Sequence, residues 1–560
     1  MQTIGDALTR VLARAGYYVF SHQDYESRIR GGHNFYQLRF SDRPVMSSRA
    51  TMDIVIALDK ETISRHATEV AEGGRIVYDS ETLKEKHEGS QFLDIPFAHL
   101  ALEHTGSVLV ENTVATGAAI GIIGMDIENL FTVIREAFKK KGEGIIKSNI
   151  DAAAAGHAYA TKNCASYSLT APPSSRPHML IGGTEAIALG AIASGVKFYA
   201  AYPMTPSTGI MNYISSQAEE FGIIVEQAED EIAAINMALG ASFGGVRAMT
   251  GTAGGGFALM VEGLSLAAMT ETPVVIALGQ RPAPATGLPT RTDQGDLQFA
   301  LYTAHGEFPR AIFAPGTPEQ AFYLTNKAFD LAEKYQVPVI ILFDQYLSDS
   351  QWTFDGFDLR KTVYHDYRLR GQAFSSLPEY RRYAFTETGV SPLGVPGDSR
   401  HVVVADSDEH DEEGHIVEDA ETRKNMVDKR LFRKMPLIRK EIEPPLLYGS
   451  ERPEIVLAGW GSSYGLMKEA VDSLARDHNI AMLHFSEIYP LPSTSKLNYL
   501  EILNNASLTI CFENNATGQF ARLMKSETGY AFNRLLNRFD GRPFILEELI
   551  GEINGFFGRL

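Results

Sequence analysis

The chain has 560 residues, 44% hydrophobic and 21% charged, with a formal net charge of -18; that is room for roughly three globular domains, and the negative balance argues against nucleic acid or an anionic membrane surface as the main partner. Its only cysteines are Cys164 and Cys511, which excludes a disulfide framework, a zinc cluster or a cysteine-ligated iron–sulfur cluster within this chain alone. No apolar run reaches the length of a membrane span, and the charged N-terminus lacks a signal-peptide pattern, so the expectation is a soluble, cytoplasmic protein.

Residues 1–169 read as one α/β unit. "IGDALTRVLARAG" has helical apolar spacing and ends at Gly16. Strand-like runs "YYVFSH", "FYQLRF", "MDIVIAL" and "RIVYDS" follow, then helices at "ENLFTVIREAFKK" and "SNIDAAAAGHAYA". A domain of this kind usually begins with a strand, and this one opens on a helix; a truncated start and an absent first strand are both open. A Pro/Ser linker occupies 170–178. Residues 179–350 alternate helix and strand, from a small-residue helix in "MLIGGTEAIALGAIASG" to "VPVIILFDQYLSDS", which predicts a parallel sheet with helices on both faces. Residues 351–450 are an irregular connecting segment carrying the acidic run "DSDEHDEEGHIVEDAETRKNMVDKR". From 451 to 560 the α/β rhythm returns as a smaller third domain.

Ligands bind in the loops at the ends of parallel strands. The loop "YPMTPST" flanks Thr205 with Pro203 and Pro206. Proline fixes φ and removes a donor, so the hydroxyl is aimed at little entropic cost; a rigid helix-capping turn is the plain alternative. In "IIVEQAEDEIAAINMALGAS" a strand runs into Glu226, Glu229, Asp230 and Glu231. Acids in a first helical turn suit the helix dipole, yet one of them held in an apolar pocket can share a proton with a heterocyclic nitrogen. In "AMTGTAGGGFALM" a strand ends at Thr250, Gly251 and Thr252 before a glycine run that lets backbone approach a ligand; no GK[ST] follows, so it is not a P-loop. The loop "GQRPAPATGLPTRTDQGDL" carries Arg281 and Arg291, each able to clamp a carboxylate with a two-pronged hydrogen bond.

These four loops, in this order, resemble the 2-oxoacid:ferredoxin oxidoreductase family, whose signature is of the YPITPS type. The acidic "DEHDEEGHIVED" is similar to the alpha subunit of these enzymes, and "YESRIRGGHNFYQLRFSD" to the gamma subunit. The chain thus resembles a gamma–alpha fusion of the 2-oxoglutarate type over nearly its whole length. The resemblance implies a gamma-like α/β domain, a thiamine-diphosphate-type pyrimidine-binding domain and a transketolase-C-like α/β domain. It implies oxidative decarboxylation of a 2-oxoacid with coenzyme A, giving acyl-CoA, carbon dioxide and reduced ferredoxin, with thiamine diphosphate performing the carbon chemistry. By the same resemblance Glu229 meets the aminopyrimidine ring nitrogen, Thr205 and Arg291 contact the substrate carboxylate, and Tyr202, Pro203 and Thr252 line the cofactor site. No GDG…N motif and no cysteine set is present. In this family the Mg2+ and diphosphate site and the [4Fe-4S] cluster belong to a separate beta subunit. An inactive isolated chain and an alpha–beta heterodimer, or a dimer of it, are therefore expected. 2-Oxoglutarate is the favoured substrate, with pyruvate and branched 2-oxoacids open.

The remaining polar motifs read more plainly. Arg28, Arg30 and His33 offer an anion site or a partner surface, with subunit contact favoured. His484 and Glu487 read as satisfied core or interface residues, and His410 and His415 as part of a solvated or interface segment rather than a metal site. Two rival functions stay open at this stage: another thiamine-dependent enzyme of transketolase or decarboxylase type, and a non-catalytic nucleotide-binding protein.

Overall fold

The opening apolar spacing forms the helix Gln2–Arg14, which buries Ile4, Leu8, Val11 and Leu12, in a computed structural model that describes residues 1–28, 31–172 and 178–557. Arg30 and the linker residues 173–177 lie outside the described residues. The chain divides into two units, Met1–Ile181 with Ser350–Gly356 and Ile545–Leu560, and Gly182–Asp349 with Phe357–Phe544.

In the first unit Gly16, at φ 92°, turns the chain out of the helix. The strands Tyr18–Asp24 and Phe35–Ser41 then pair antiparallel, and a four-stranded sheet runs in the order Phe35–Ser41, Tyr18–Asp24, Ser350–Phe354, Met179–Gly182. "MLIGG" is therefore not the start of a helix. Its apolar residues enter this sheet, and the helix begins only at Gly183, where the Glu185 side chain accepts from the Gly182 N–H. A second sheet, Met52–Ile56, Val70–Tyr78 and Phe92–Asp94, is parallel. Beside it the helices Glu111–Ile123 and Glu143–Asn163 pack backbone to backbone. A Cβ on Gly117 would lie 2.0 Å from the Ala153 carbonyl oxygen, and one on Gly156 would lie 2.0 Å from that of Val114. The last helix, Leu546–Phe557, joins this unit rather than closing the 451–560 segment: Glu547 pairs with Arg49 and accepts from the Ala50 N–H.

Two of the residues read as an anion site here are already engaged. Arg28 pairs with Glu26 at 2.8 Å, and the buried His33 meets His66 Nε2 to Nε2 at 2.7 Å.

The second unit holds a seven-stranded sheet in the order Glu487–Tyr489, Ala311–Phe313, Pro338–Asp344, Val274–Gln280, Ala248–Ala253, Phe198–Ala201, Ile224–Gln227. All neighbours are parallel except the first pair. Central strands such as "PVIILFD" are buried along their whole length, as a sheet covered on both faces requires. Helix Pro318–Tyr335 shows why the chain folds so locally: Thr317 caps the Gln320 N–H at 3.0 Å and proline takes the first helical position.

A five-stranded sheet, Leu446–Gly449, Ile480–Phe485, Ile455–Trp460, Leu508–Glu513 and Arg534–Asn537, belongs to the same unit. One core runs through both sheets, with Ile340 and Leu342 in the same cluster as Val456, Trp460 and Phe485.

The connecting segment, expected to be irregular throughout, is so only before Ala420: Ala420–Val427, Asp428–Arg433 and Lys434–Glu441 follow one another as helical turns, since the Lys/Arg-rich end of the acidic run carries no proline until Pro436. It is firmly held. Lys429 and Lys434, both fully buried, converge on the buried Glu271, and the Lys429 Nζ to Glu271 Oε1 distance is 2.5 Å. Arg382 donates to the Glu271 carbonyl at 2.7 Å and to Gln336 Oε1 at 2.8 Å. His410 is fully buried with its ring 3.9 Å from that of Tyr383, and its Nδ1 donates to the Asp408 carbonyl.

Candidate functional site

Three neighbouring strands of the seven-stranded sheet end in the loops singled out from sequence. After Phe198–Ala201 come Tyr202, which is 42% exposed, the half-buried Pro203 and Thr205, and the buried Pro206. The Thr205–Pro206 peptide is cis. The Pro206 ring sits on Gly279 of strand Val274–Gln280, where a Cβ would come within 2.6 Å of it. Arg281 Nη1 donates to the Thr205 carbonyl at 2.9 Å. The loop is held by Pro206 packed on Gly279 and by an arginine from the neighbouring strand end.

After Ile224–Gln227 the four carboxylates take separate roles. Asp230 caps the helix Glu231–Phe243 by accepting from the Ala233 N–H at 2.8 Å, which is the dipole-and-cap explanation of acids in a first turn. Glu226 and Glu229 are exposed. The carboxylate buried within this chain is Glu231, 3% exposed, and its Oε1 has no hydrogen-bond partner.

After Ala248–Ala253 the glycine run begins the short helix Gly254–Leu259. Two of its glycines answer to the protein's own packing. A Cβ on Gly256 would strike Glu231 Oε1 and Thr252 Oγ1, both at 2.2 Å, and one on Gly254 would meet Asp296 Oδ2 at 2.9 Å. Gly255 faces open space, so it is the position where a ligand can approach the backbone. Thr252 is fully buried.

The fourth loop supplies acids that the sequence reading passed over. Asp296 is 8% exposed and its N–H donates to Gln280 Oε1 at 3.1 Å. Burial raises its carboxyl to about 6, against the lowering effect of Arg281. Burial, with the Asp296 charge adding to it, raises Asp293 to about 7. At the end of the next strand over, burial takes Asp344 to about 6 while Ser462 donates to it. Alternating acids in a Gly/Pro loop carry no pattern that tells a buried pair from a solvated one. Arg291 lies on the same loop, its N–H donating to the Leu288 carbonyl at 3.1 Å and its side-chain stem against Gly541. The structure joins Arg281 to the backbone of Thr205.

His484 is buried and donates through Nε2 to the Gly461 carbonyl at 2.8 Å, while its Nδ1 is buried without a partner, so it is only half satisfied; burial lowers it to about 4. Glu487 pairs with Lys327 at 2.8 Å and accepts from the Glu443 N–H at 3.0 Å. His410 and His415 part company: the first is core, while the second is exposed, its ligand atom within 4.8 Å of those of Asp411 and Glu413.

At the strand ends stand the exposed Glu229 and the buried Glu231 with its unpartnered Oε1, the Thr205 loop held by Arg281, and the open Gly255. Among the described residues no helix is long and apolar enough to cross a membrane.

A family described as pyruvate flavodoxin/ferredoxin oxidoreductase, thiamine diP-binding, matches residues 189–429, and one described as pyruvate ferredoxin/flavodoxin oxidoreductase matches residues 1–159. The chain is 31% identical to a 2-oxoacid:ferredoxin oxidoreductase subunit alpha from a Sulfolobus species, over 98% of this chain and 94% of the relative. It is 27% identical to the 2-oxoglutarate oxidoreductase subunit KorA of Mycobacterium tuberculosis, over 94% of this chain and 85% of the relative. Among solved structures, 2-oxoglutarate:ferredoxin oxidoreductase from Magnetococcus marinus, with 2-oxoglutarate, coenzyme A and succinyl-CoA bound, superposes with a TM-score of 0.90 at 28% identity, covering 99% of this chain and 96% of that one.

Proposed function

Because the chain belongs to the 2-oxoacid:ferredoxin oxidoreductase family, as an alpha subunit fused to a gamma-like domain, we propose that its strand-end cluster is the pyrimidine side of a thiamine diphosphate site completed by a separate beta subunit. The enzyme carries out coenzyme-A-dependent oxidative decarboxylation of a 2-oxoacid to an acyl-CoA and carbon dioxide, reducing ferredoxin. The beta subunit holds the Mg2+ and diphosphate site and the [4Fe-4S] cluster. Support for this division comes from the two cysteines of this chain and its lack of a GDG…N motif. The favoured substrate is 2-oxoglutarate, supported by the named activities of the relative and of the solved structure that match over nearly the whole chain.

The observation that carries this reading is the convergence of three strand ends: the Thr205 loop held by Arg281, the open Gly255, and the acids after Gln227, of which Glu229 is exposed toward a partner and Glu231 is buried with an unpartnered Oε1. Exposed apolar side chains on the same loops and helix starts, Tyr202 at 42% and Ile232 and Leu259 at 49% each, suit a surface that a partner subunit covers. When bound, thiamine diphosphate supplies the nucleophilic carbon that makes decarboxylation of a 2-oxoacid accessible. Glu229 holds a proton at the aminopyrimidine ring nitrogen and so tunes the acidity of the adjacent amine. Tyr202, Pro203 and Thr252 shape the pocket around that ring. Thr205 offers its hydroxyl to the substrate carboxylate, and the planar guanidinium of Arg291 is suited to a second carboxylate contact. Orientation is the main contribution of these groups: a keto carbon held in line for attack reacts far faster than one free to tumble.

The test is coexpression with a beta-type chain, followed by viologen reduction with several 2-oxoacids and coenzyme A. The reading expects turnover only in the complex, a broad iron–sulfur absorbance copurifying with it, and the best kcat/KM for 2-oxoglutarate. A colourless chain that turns over alone would overturn it.

A further inference from the structure

Three consecutive residues at the end of strand Val274–Gln280 hold both neighbouring loops. Gly279 leaves the space in which the Pro206 ring sits. Gln280, 1% exposed, accepts the Asp296 N–H at 3.1 Å. Arg281 donates from Nη1 to the Thr205 carbonyl at 2.9 Å. Asp296 in turn lies against Gly254, where any side chain would strike its carboxylate. The Thr205 loop, the glycine loop and the Arg291 loop are thus fastened at one strand end.

We propose that Arg281 is a positioning residue for the 2-oxoacid: it holds the Thr205 backbone, with Asp296 opposing the cost of its burial, and thereby sets where the Thr205 hydroxyl is presented to the substrate carboxylate. This rests on the reading of Thr205 as a substrate contact. Chemistry favours an arginine here. Burial lowers its pKa from the ordinary value while Asp296 raises it, and a guanidinium keeps its charge through such a shift where an ammonium loses it readily. A carbonyl fixed by a charged donor is held about twice as strongly as by a neutral one. From sequence Arg281 is, with Arg291, one of two arginines able to clamp a carboxylate; the geometry sets its Nη1 on the loop that carries the ligand contact.

The experiment is a double-mutant cycle on the alpha–beta complex, read as KM and kcat for the 2-oxoacid and KM for coenzyme A. Arg281→Ala is expected to raise the oxoacid KM about tenfold, the worth of one hydrogen bond from a charged donor, with kcat within about twofold of wild type and the coenzyme A KM unchanged. Arg281→Lys recovers part of the loss. Thr205→Ala raises the oxoacid KM by itself, and the double variant is no worse than the poorer single one, because Arg281 acts through Thr205. Additive effects, or a parallel rise in both KM values, overturn the proposal while leaving Thr205 a substrate contact. A normal oxoacid KM in Thr205→Ala overturns that reading and the proposal with it. If Arg281→Ala does not assemble, Asp296→Asn carries the same cycle: a KM rise of about threefold that disappears on the Thr205→Ala background supports the proposal, and an additive rise overturns it.

Discussion

Two sets of acids in the second unit differ in the charges around them. At the strand ends Asp293, Asp296 and Asp344 act on one another with Arg281 countering Asp296, and burial drives their carboxyls up to between about 6 and about 7. Some distance along the chain Glu271 is more deeply buried than Asp293, yet it is held well below the ordinary carboxylate range, because the cations Lys429, Lys434 and Arg382 overcome burial. Burial alone therefore does not decide whether a carboxyl is ionised; the local count of cations does. The first group leaves acids able to change protonation near neutral pH, as sites of chemistry tend to. The second fixes the helical turns Asp428–Arg433 and Lys434–Glu441 in place.

The contrast can be broken most severely at the one strand-end acid assigned to the reaction. Glu229→Gln is expected to lower kcat of the complex by at least about 100-fold, while beta-subunit binding, followed by gel filtration, and the unfolding midpoint stay as in wild type. Glu271→Gln should do the reverse. It strands two buried lysines and costs about 3–5 kcal/mol of stability, seen as a lower chemical-denaturation midpoint.

The pH dependence then separates the two groups by sign. Asp293 has a folded-state pKa raised to about 7. Its favourable contribution is complete below its unfolded value and is lost as pH rises through about 7. Relative to wild type, Asp293→Asn should gain stability steadily from pH 4 to 7.5. Glu271 has a depressed folded-state pKa, so its contribution is present above its unfolded value and lost as pH falls toward the folded one. The deficit of Glu271→Gln should shrink below about pH 4.5. Denaturation midpoints across pH check both, and slopes of the same sign would remove the distinction.

The smallest effect belongs to Lys429. Burial and the neighbouring Lys434 lower its pKa despite Glu271, as burial lowers that of Lys434, so two cations share one carboxylate. Lys429→Met should change stability by no more than about 1 kcal/mol, since Lys434 still neutralises Glu271. A loss as large as that of Glu271→Gln would show that both lysines are required.

Much of the architecture was legible because its strands are continuous apolar runs and its helices carry regular apolar spacing. "PVIILFD" could hardly be anything but a covered strand, and Thr317-Pro318 announces a helix start. The strand-end motifs were legible for the same reason, since punctuation by Pro and Gly survives in one dimension. What stayed hidden depends on contacts between distant residues. "MLI" reads as helix until Ser350–Phe354 is known to share its sheet. Asp296 and Gly254 lie 42 positions apart in the numbering and yet touch. Of the four acids after Gln227, spacing alone could not tell which caps, which is exposed and which is buried; that depended on Gly256 making room for Glu231. His410 and His415 look like a pair in sequence, and only the packing of Tyr383 separates them.

The antiparallel pairing of Glu487–Tyr489 with Ala311–Phe313 stitches a residue run from the C-terminal half into the edge of the larger sheet. Two layers sewn by backbone hydrogen bonds and a common interior share their fate on heating, so amide protons in Leu508–Glu513 and in Pro338–Asp344 should exchange through the same global opening. Breathing in this half of the molecule is then confined to its loop tips.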